Sequence, residues 1–179
     1  MKRKEFILSS LAAFPVMGLV RKEEFQTKPF VVKKGEARFG VHTPFKGINP
    51  NDLKVSAKDS QGAISLYEYE GNEKTGPALH VHLEQDEWFF VLSGDYLFQV
   101  GDERHTLQAG DSIFLPRKVA HTWLQLSDHG RLLYWVNPAG KFEEFFLKMS
   151  SFTKAPSQKE MDELHAACQM KVVGPPISL

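Results

Sequence analysis

Short segments in which apolar and polar residues alternate occupy most of the chain between residues 50 and 137. An alternation with a period of two predicts strands, because successive side chains of a strand point to opposite faces of a sheet. Turn-forming residues separate these segments at intervals of about 8 to 12 residues. The predicted strands are 53–57, 63–69, 78–83, 88–92, 96–100, 106–107, 112–115, 121–126 and 132–136. This pattern predicts an all-β fold, either a sandwich or a closed barrel.

The apolar spacing changes to a helical one after residue 138. One helix is predicted where large apolar residues share a face, at Phe142, Phe145, Phe146 and Met149. A second helix is predicted over 157–168, because Ser157 followed by Glu160 has the spacing of a capping box. The tail at 172–177 contains consecutive prolines and is predicted to be extended. Residues 25–51 mix short apolar pieces with turn formers, which predicts edge strands and loops.

The first 20 residues have the composition of a secretion signal. Basic residues at positions 2–4 precede a mostly apolar run at 6–20, which is shorter than a membrane-spanning helix. The predicted organisation is a signal peptide at 1–20, a β-barrel with N-terminal strands at 21–150, and a C-terminal helix with an extended tail at 151–179. Export to the periplasm or the exterior is predicted, and the alternative is a cytoplasmic protein.

Length and charge restrict the function. A chain of 179 residues can bury a core without metal or disulfides, so any bound metal is predicted to be functional. Because 22 basic residues balance 22 acidic ones, nucleic acid is not expected as a partner. Cys168 is the only cysteine, which excludes an internal disulfide, and it is predicted to be a small buried apolar residue.

A candidate metal site lies where two histidines are one residue apart. His80 and His82 project to the same face of a strand because side chains alternate. Glu87 begins the next alternating segment, and His121 lies on a later strand. Imidazole and carboxylate ligands suit divalent first-row metals, and four of them leave octahedral positions open to substrate.

The other nearby carboxylates and the remaining histidines fit a metal site less well than these four residues. Glu84 falls in a predicted turn, and Asp86 has the opposite strand parity to Glu87, so Glu87 is the predicted carboxylate ligand. The same parity argument predicts that the pocket is lined by Phe89, Val91, Trp123 and Gln125. The remaining histidines are predicted to be ordinary surface or core residues: His42, His105, His129 and His165.

Two spacing patterns resemble the motifs of the cupin superfamily. The first, G-x3-H-x-H-x4-E-x6-G, covers residues 76–94, and the second, G-x5-P-x4-H, covers residues 110–121. Lys118 stands where the family usually has Gly, and Gln125 stands where it usually has Asn. The Phe-rich segment after Pro-Ala-Gly at 138–146 and the closing Gly-Pro-Pro are similar to single-domain, quercetinase-like bacterial cupins.

The resemblance implies a double-stranded β-helix, that is, a jelly-roll cupin barrel with short C-terminal helices. It implies one divalent transition metal ion, Fe, Mn, Ni, Co, Cu or Zn, bound by His80, His82, Glu87 and His121. It also implies a homodimer that pairs through N-terminal strands, in which the apolar segments at 30–32 and 39–41 supply edges that need covering.

The implied activity is that of a metal-dependent dioxygenase, which adds O2 to a flavonol-like or other enolisable organic substrate. Glu87 is then either a fourth ligand or the catalytic base that removes the acidic proton of the substrate. One alternative is a non-catalytic metal-containing cupin that binds a small ligand such as a sugar or a phenolic. A metal-free pocket with a structural role only is the remaining alternative.

Overall fold

The computed structural model describes residues 28–178, so the predicted signal peptide at 1–20 lies outside the described residues. The fold is mostly β, as predicted. The strands are β1 Asn51–Val55, β2 Ser65–Gly71, β3 Leu79–His82, β4 Asp86–Ser93, β5 Tyr96–Val100, β6 Glu103–Leu107, β7 Ser112–Leu115, β8 His121–Gln125, β9 Gly130–Asn137 and β10 Met170–Gly174. Two helices, α1 Phe142–Ser151 and α2 Gln158–Ala167, lie between β9 and β10.

The strands form two antiparallel sheets that enclose one core. One sheet has the order β1-β2-β9-β4-β7, and the other has the order β10-β3-β8-β5-β6. Inward residues alternate with outward ones, and the core is rich in aromatic rings. Tyr134 stacks on Tyr67 at 5.6 Å and on Phe89 at 5.1 Å between ring centroids, which joins three neighbouring strands.

The prediction of edge strands within 25–51 is wrong for the part of this segment that the structure describes. Between residues 28 and 50 the only ladder contact is an isolated bridge between Phe45 and Asn49, and β1 begins at Asn51. Lys46 and Gly47 adopt φ angles of 52° and 80°, so the chain turns instead of extending. Thr43 donates to the carbonyl of Asn51 at 2.8 Å and ties this loop to β1.

The C-terminal part completes the barrel. Phe142 and Phe146 of α1 pack on Tyr67, with centroid distances of 5.8 and 5.0 Å. The predicted capping box between Ser157 and Glu160 is present at the start of α2. The chain then returns as β10, which pairs with β3 and satisfies its edge. β10 is therefore a strand of one of the two sheets.

The outer face of the β4 and β7 region is unusually apolar. Trp88, Phe90, Leu92 and Phe114 are each 37 to 43% exposed, and Trp88 stacks on Trp135 at 5.9 Å. The homodimer stays a prediction, as does export. Neither helix is long and apolar enough to cross a membrane, within the residues described.

Candidate metal centre

Four side chains converge inside the barrel. Ligand atoms of His80, His82, Glu87 and His121 all lie within 4.8 Å of one another. The ring centroids of His80 and His121 are 4.6 Å apart, and those of His82 and His121 are 5.3 Å apart. Ligands about 2.1 Å from a first-row metal are separated by roughly 3 to 4 Å, so this cluster has the size of a coordination shell.

The two sheets contribute different parts of the centre. His80 of β3 is the direct register partner of His121 of β8, which brings these two imidazoles together across one sheet. His82 lies two residues further along β3 and therefore on the same face. Glu87 comes from β4 of the opposite sheet. The centre therefore depends on the closure of the barrel.

Backbone carbonyls determine which ring nitrogens are available. Nδ1 of His80 lies 2.8 Å from the carbonyl of Ala78, and Nδ1 of His121 lies 3.0 Å from that of Val119. Because a carbonyl only accepts, both Nδ1 atoms carry the proton and donate. In the neutral rings Nε2 is therefore a bare lone pair, which is the form that binds metal.

These lone pairs face a carboxylate. Nε2 of His121 and Nε2 of His82 lie 3.2 and 3.8 Å from Oε2 of Glu87, and all three residues are buried. Neither Nε2 has a hydrogen-bond partner among the described residues. Buried acceptors this close repel one another unless a cation lies between them. Three imidazoles and one carboxylate fit a divalent first-row metal.

Burial keeps two of these imidazoles neutral. Loss of solvation, followed by the proximity of His121 and His82, lowers the pKa of His80 to about 3. Loss of solvation, followed by the proximity of His121, lowers the pKa of His82 to about 3. Both rings therefore have the protonation state of a metal ligand at neutral pH without needing the metal to displace a proton.

The metal-free protein is expected to lose stability as the pH falls below about 6.5. In the unfolded chain both histidines bind protons below their ordinary pKa of 6.5, whereas in the folded chain they do so only below about 3. The unfolded state therefore binds more protons across this window, and the free energy of unfolding rises with pH there. The slope is about 1.4 kcal/mol per pH unit for each histidine.

Urea unfolding of the metal-free protein at several pH values from 5 to 8 measures this slope. Most carboxylates are already ionised in that range, which isolates the histidine contribution. A free energy of unfolding that stays constant from pH 5 to pH 7 would contradict the neutral, buried state of these rings.

Gln85 is the residue placed to orient His82. It is 2% exposed, and its side chain lies near enough to raise the pKa of His82. The two side chains do not form a hydrogen bond, because Nδ1 of His82 and Oε1 of Gln85 both lack a partner within the described chain. Nε2 of Gln85 is 3.2 Å from Oε1 of Gln169, which leaves Oε1 of Gln85 available as an acceptor.

Replacing Gln85 with Leu is expected to weaken metal binding about 10- to 100-fold, the usual effect of losing an outer hydrogen-bond partner of a histidine ligand. His82 would lose the buried amide that lies close enough to affect its pKa. Chelator competition measures the affinity, and Gln108→Leu, in an exposed turn, is the matched control. An unchanged affinity in Gln85→Leu would show that Gln85 has no part in orienting His82.

The structure separates the rival carboxylates from the centre. Asp86 points away from Glu87 and accepts from Arg117 at 3.0 and 2.7 Å. These hydrogen bonds lower the pKa of Asp86, which is therefore a structural ion-pair partner. Glu84 is exposed in the turn between β3 and β4. Of the three neighbouring acids, Glu87 alone reaches the histidines.

A cavity of about 1050 Å³ opens onto His80 and Glu87. Its walls contain several aromatic residues, among them Phe45, Phe89, Trp123, Phe142, Phe145 and Phe146. Of the predicted pocket residues, Phe89 and Trp123 line this cavity, whereas Val91 and Gln125 lie outside its lining. Gln125 is four residues beyond His121 on β8, roughly 13 Å along the strand, where it donates to the carbonyls of Gly71 and Ser127.

Four histidines were predicted to be ordinary. Three of them lie at the surface and bond or pair locally: His42 with Asp52, His105 with Glu103, and His129 with Asn72. His42 also lines the cavity, and so does His165, which is half-buried on α2. Its spacing from Met161, Leu164 and Cys168 puts it on the apolar face of α2, which is the sequence feature that could have indicated its position.

Lys118 explains one departure from the family pattern. It adopts a φ of 67°, a left-handed conformation that glycine accommodates without a Cβ clash. Its amide donates to the carbonyl of His82 at 2.7 Å and fixes the loop before β8 against β3. Lys118 therefore occupies a backbone conformation that glycine adopts more easily than other residues.

Fold and site together define a double-stranded β-helix with a buried histidine and glutamate cluster that can hold a metal ion. Residues 65–137 match the family model for the cupin domain. This match over residues 65–137, together with the fold, supports the cupin superfamily, and the fold confirms the predicted fold class.

Solved structures with similar folds come from several bacteria. An RmlC-like cupin from Shewanella frigidimarina is 18% identical with a TM-score of 0.54, over 66% of this chain and 97% of that one. KdgF from Halomonas sp. is 15% identical with a TM-score of 0.47, over 52% and 81% of the two chains. A predicted oxalate decarboxylase from Thermotoga maritima is 15% identical with a TM-score of 0.48, over 50% and 80%. No curated protein matches the sequence. Identities this low concern the fold alone.

Proposed function

We propose that this protein is a metal-dependent dioxygenase of a flavonol-like or other enolisable organic substrate. One observation carries the proposal: Glu87 belongs both to the metal cluster and to the wall of the aromatic cavity. A substrate hydroxyl that enters the site from the cavity comes within reach of this carboxylate. Ligand binding and proton removal are therefore possible at the same place.

The cavity suits a planar aromatic ligand. Its volume of about 1050 Å³ is at the upper end of what small-molecule sites usually have. Phe89 and Trp123 stand on its walls, with centroids 6.4 Å apart and rings inclined by 60°. Aromatic faces and edges of this kind favour a ring system over a flexible polar chain.

Each residue of the centre has a role in this proposal. His80, His82 and His121 hold the metal ion through Nε2. When bound, the metal supplies Lewis acidity that lowers the pKa of a substrate hydroxyl. Glu87 accepts the proton released by that hydroxyl. Tyr134 is not a competing base, because burial, together with nearby Tyr67 and Glu87, raises its pKa well above 10.

The overall reaction needs no separate reductant. A dioxygenase places both atoms of O2 in the organic product, and the substrate itself provides the electrons. The chain has to bind and deprotonate the substrate and to exclude water from it. Buried Glu87 and the aromatic walls serve these requirements.

Oxygen uptake tests the proposal. The purified protein is loaded separately with Fe(II), Mn(II), Ni(II), Co(II) or Cu(II), and quercetin is added in air-saturated buffer. With at least one metal we expect consumption of one O2 per quercetin, and none with the metal-free protein. Mass spectrometry of the product in 18O2 checks that both atoms are incorporated.

Two results would contradict the proposal. One is the absence of oxygen uptake with every metal, although each is shown to be bound. The other is quercetin that raises the melting temperature but is recovered unchanged in air. That second outcome would favour the non-catalytic, ligand-binding alternative.

A further inference from the structure

We infer that His165 is a ligand-binding residue of the cavity, which accepts a hydrogen bond from a second hydroxyl of an aromatic ligand held at the metal centre. This inference rests on the proposed function in one respect, because it takes the cavity as the place where an organic ligand meets the centre. It concerns recognition at the end of the ligand that is remote from the metal.

His165 is a polar group beside aromatic residues of the cavity wall. It lines the same cavity as His80 and Glu87, but it does not belong to the metal cluster. Its ring packs on Phe145 with a centroid distance of 5.1 Å. It lies near enough to His82 to contribute to lowering the pKa of that residue. A ligand that extends from the centre along this wall therefore passes His165.

The hydrogen bond at Nδ1 determines what His165 can offer to a ligand. Nδ1 lies 2.7 Å from the carbonyl of Met161, one turn earlier in α2. A carbonyl only accepts, so Nδ1 carries the proton and donates to the helix backbone. Nε2 of the neutral ring is then a bare acceptor, and it has no hydrogen-bond partner within residues 28–178. Such an atom recognises a hydroxyl or an N–H group of a ligand.

The helix holds this acceptor in place. The capping box of Ser157 and Glu160 fixes the start of α2, and Cys168 at its end is 3% exposed and belongs to the core. Leu164, next to His165, packs against the same core. A side chain on an anchored helix, with one ring nitrogen already bonded, loses little conformational entropy when it binds a ligand.

Together these features specify a class of ligand. The walls favour an aromatic ring system, and the metal centre binds an acidic hydroxyl. His165 accepts a hydrogen bond from another hydroxyl further along the ligand. A polyhydroxylated aromatic compound meets all three conditions. A monohydroxylated analogue of the same ring system would meet only the first two and would gain nothing from His165.

Quercetin and 3-hydroxyflavone separate these cases, since both carry the 3-hydroxy-4-keto group but only quercetin has further hydroxyls. Binding is measured by titration under nitrogen with zinc-loaded protein, so that no turnover occurs. His165→Phe retains the ring that packs on Phe145 and removes the acceptor. We expect this variant to bind quercetin about five- to tenfold more weakly than the wild type and 3-hydroxyflavone equally well.

Two further variants complete the design. His165→Gln places an amide near the position of Nε2 and is expected to recover part of the quercetin affinity. His105→Phe, at an exposed position on β6, is the control and should bind both flavonols like the wild type. Melting temperatures and zinc content of all variants show that fold and metal site are retained.

Three outcomes would overturn the inference: unchanged quercetin affinity in His165→Phe, an equal loss for both flavonols, or no binding of quercetin to the wild type. An equal loss would mean that His165 only shapes the wall. These outcomes are distinct from failure of the proposed function, which is read from oxygen uptake. A protein that binds quercetin through His165 but consumes no O2 would support the inference and refute the dioxygenase.

Discussion

Replacing Glu87 with Gln is expected to lower oxygen consumption at least about 100-fold while leaving metal bound. General acid–base catalysis contributes roughly 10²- to 10⁴-fold, and an amide cannot accept the substrate proton at neutral pH. Glutamine retains the shape and one oxygen of the carboxylate, and the three imidazoles are unchanged. We therefore expect metal affinity to fall much less than activity. Oxygen uptake per metal-bound chain and chelator competition measure the two quantities.

Glu84→Gln is the matched control. Glu84 is exposed in the turn three residues before Glu87, so this substitution makes the same chemical change outside the centre. Its activity should equal that of the wild type. Equal activity in Glu87→Gln would instead limit Glu87 to holding metal. A parallel loss of metal and activity would show that its role as a ligand dominates.

Replacing His121 with Ala is expected to weaken metal binding more than about 100-fold, beyond what the loss of an outer partner causes. Nε2 of His121 lies 3.2 Å from Glu87, and its ring is within 5.3 Å of both other imidazoles. Its removal leaves two histidines that are one residue apart on a single strand, with one carboxylate opposite. Metal content after desalting and chelator competition measures the effect.

The thermal stability of the variants provides a second readout. A metal present at 100 times its Kd stabilises the folded state by about 2.7 kcal/mol, so metal raises the melting temperature of the wild type. His121→Ala should lose this increase under the same conditions. His129 is exposed and bonded to Asn72, away from the centre, so His129→Ala should retain the increase in melting temperature. If His121→Ala kept one metal ion per chain with wild-type affinity, the four-residue centre would be incorrect.

The strands and helices could largely be predicted from local sequence. Strands β5 and β7 have the predicted limits, and most others differ by one to three residues at an end. The capping box of α2 was also predicted, because its determinants lie within four residues of each other. The segment before β1 was not, since its apolar residues allowed strands while Lys46 and Gly47 turn the chain.

The set of candidate metal ligands could be predicted from spacing. Parity on a strand selects His80 with His82 and prefers Glu87 to Asp86, and the structure brings these residues together with His121. The parity of a residue determines the face of the strand on which its side chain lies, but not its distance along the strand from the metal centre. Val91 and Gln125 were therefore predicted to line the pocket, although they lie outside the cavity lining.

By itself, then, the sequence determined the residue types, their strand parity and their local turns, because these depend on neighbours within a few positions. Only the tertiary structure decided that β10 returns to pair with β3 and that α2 brings His165 to the cavity. These contacts join segments far apart in the chain, and they form because edge strands and apolar helix faces must be covered. No local pattern encodes such packing.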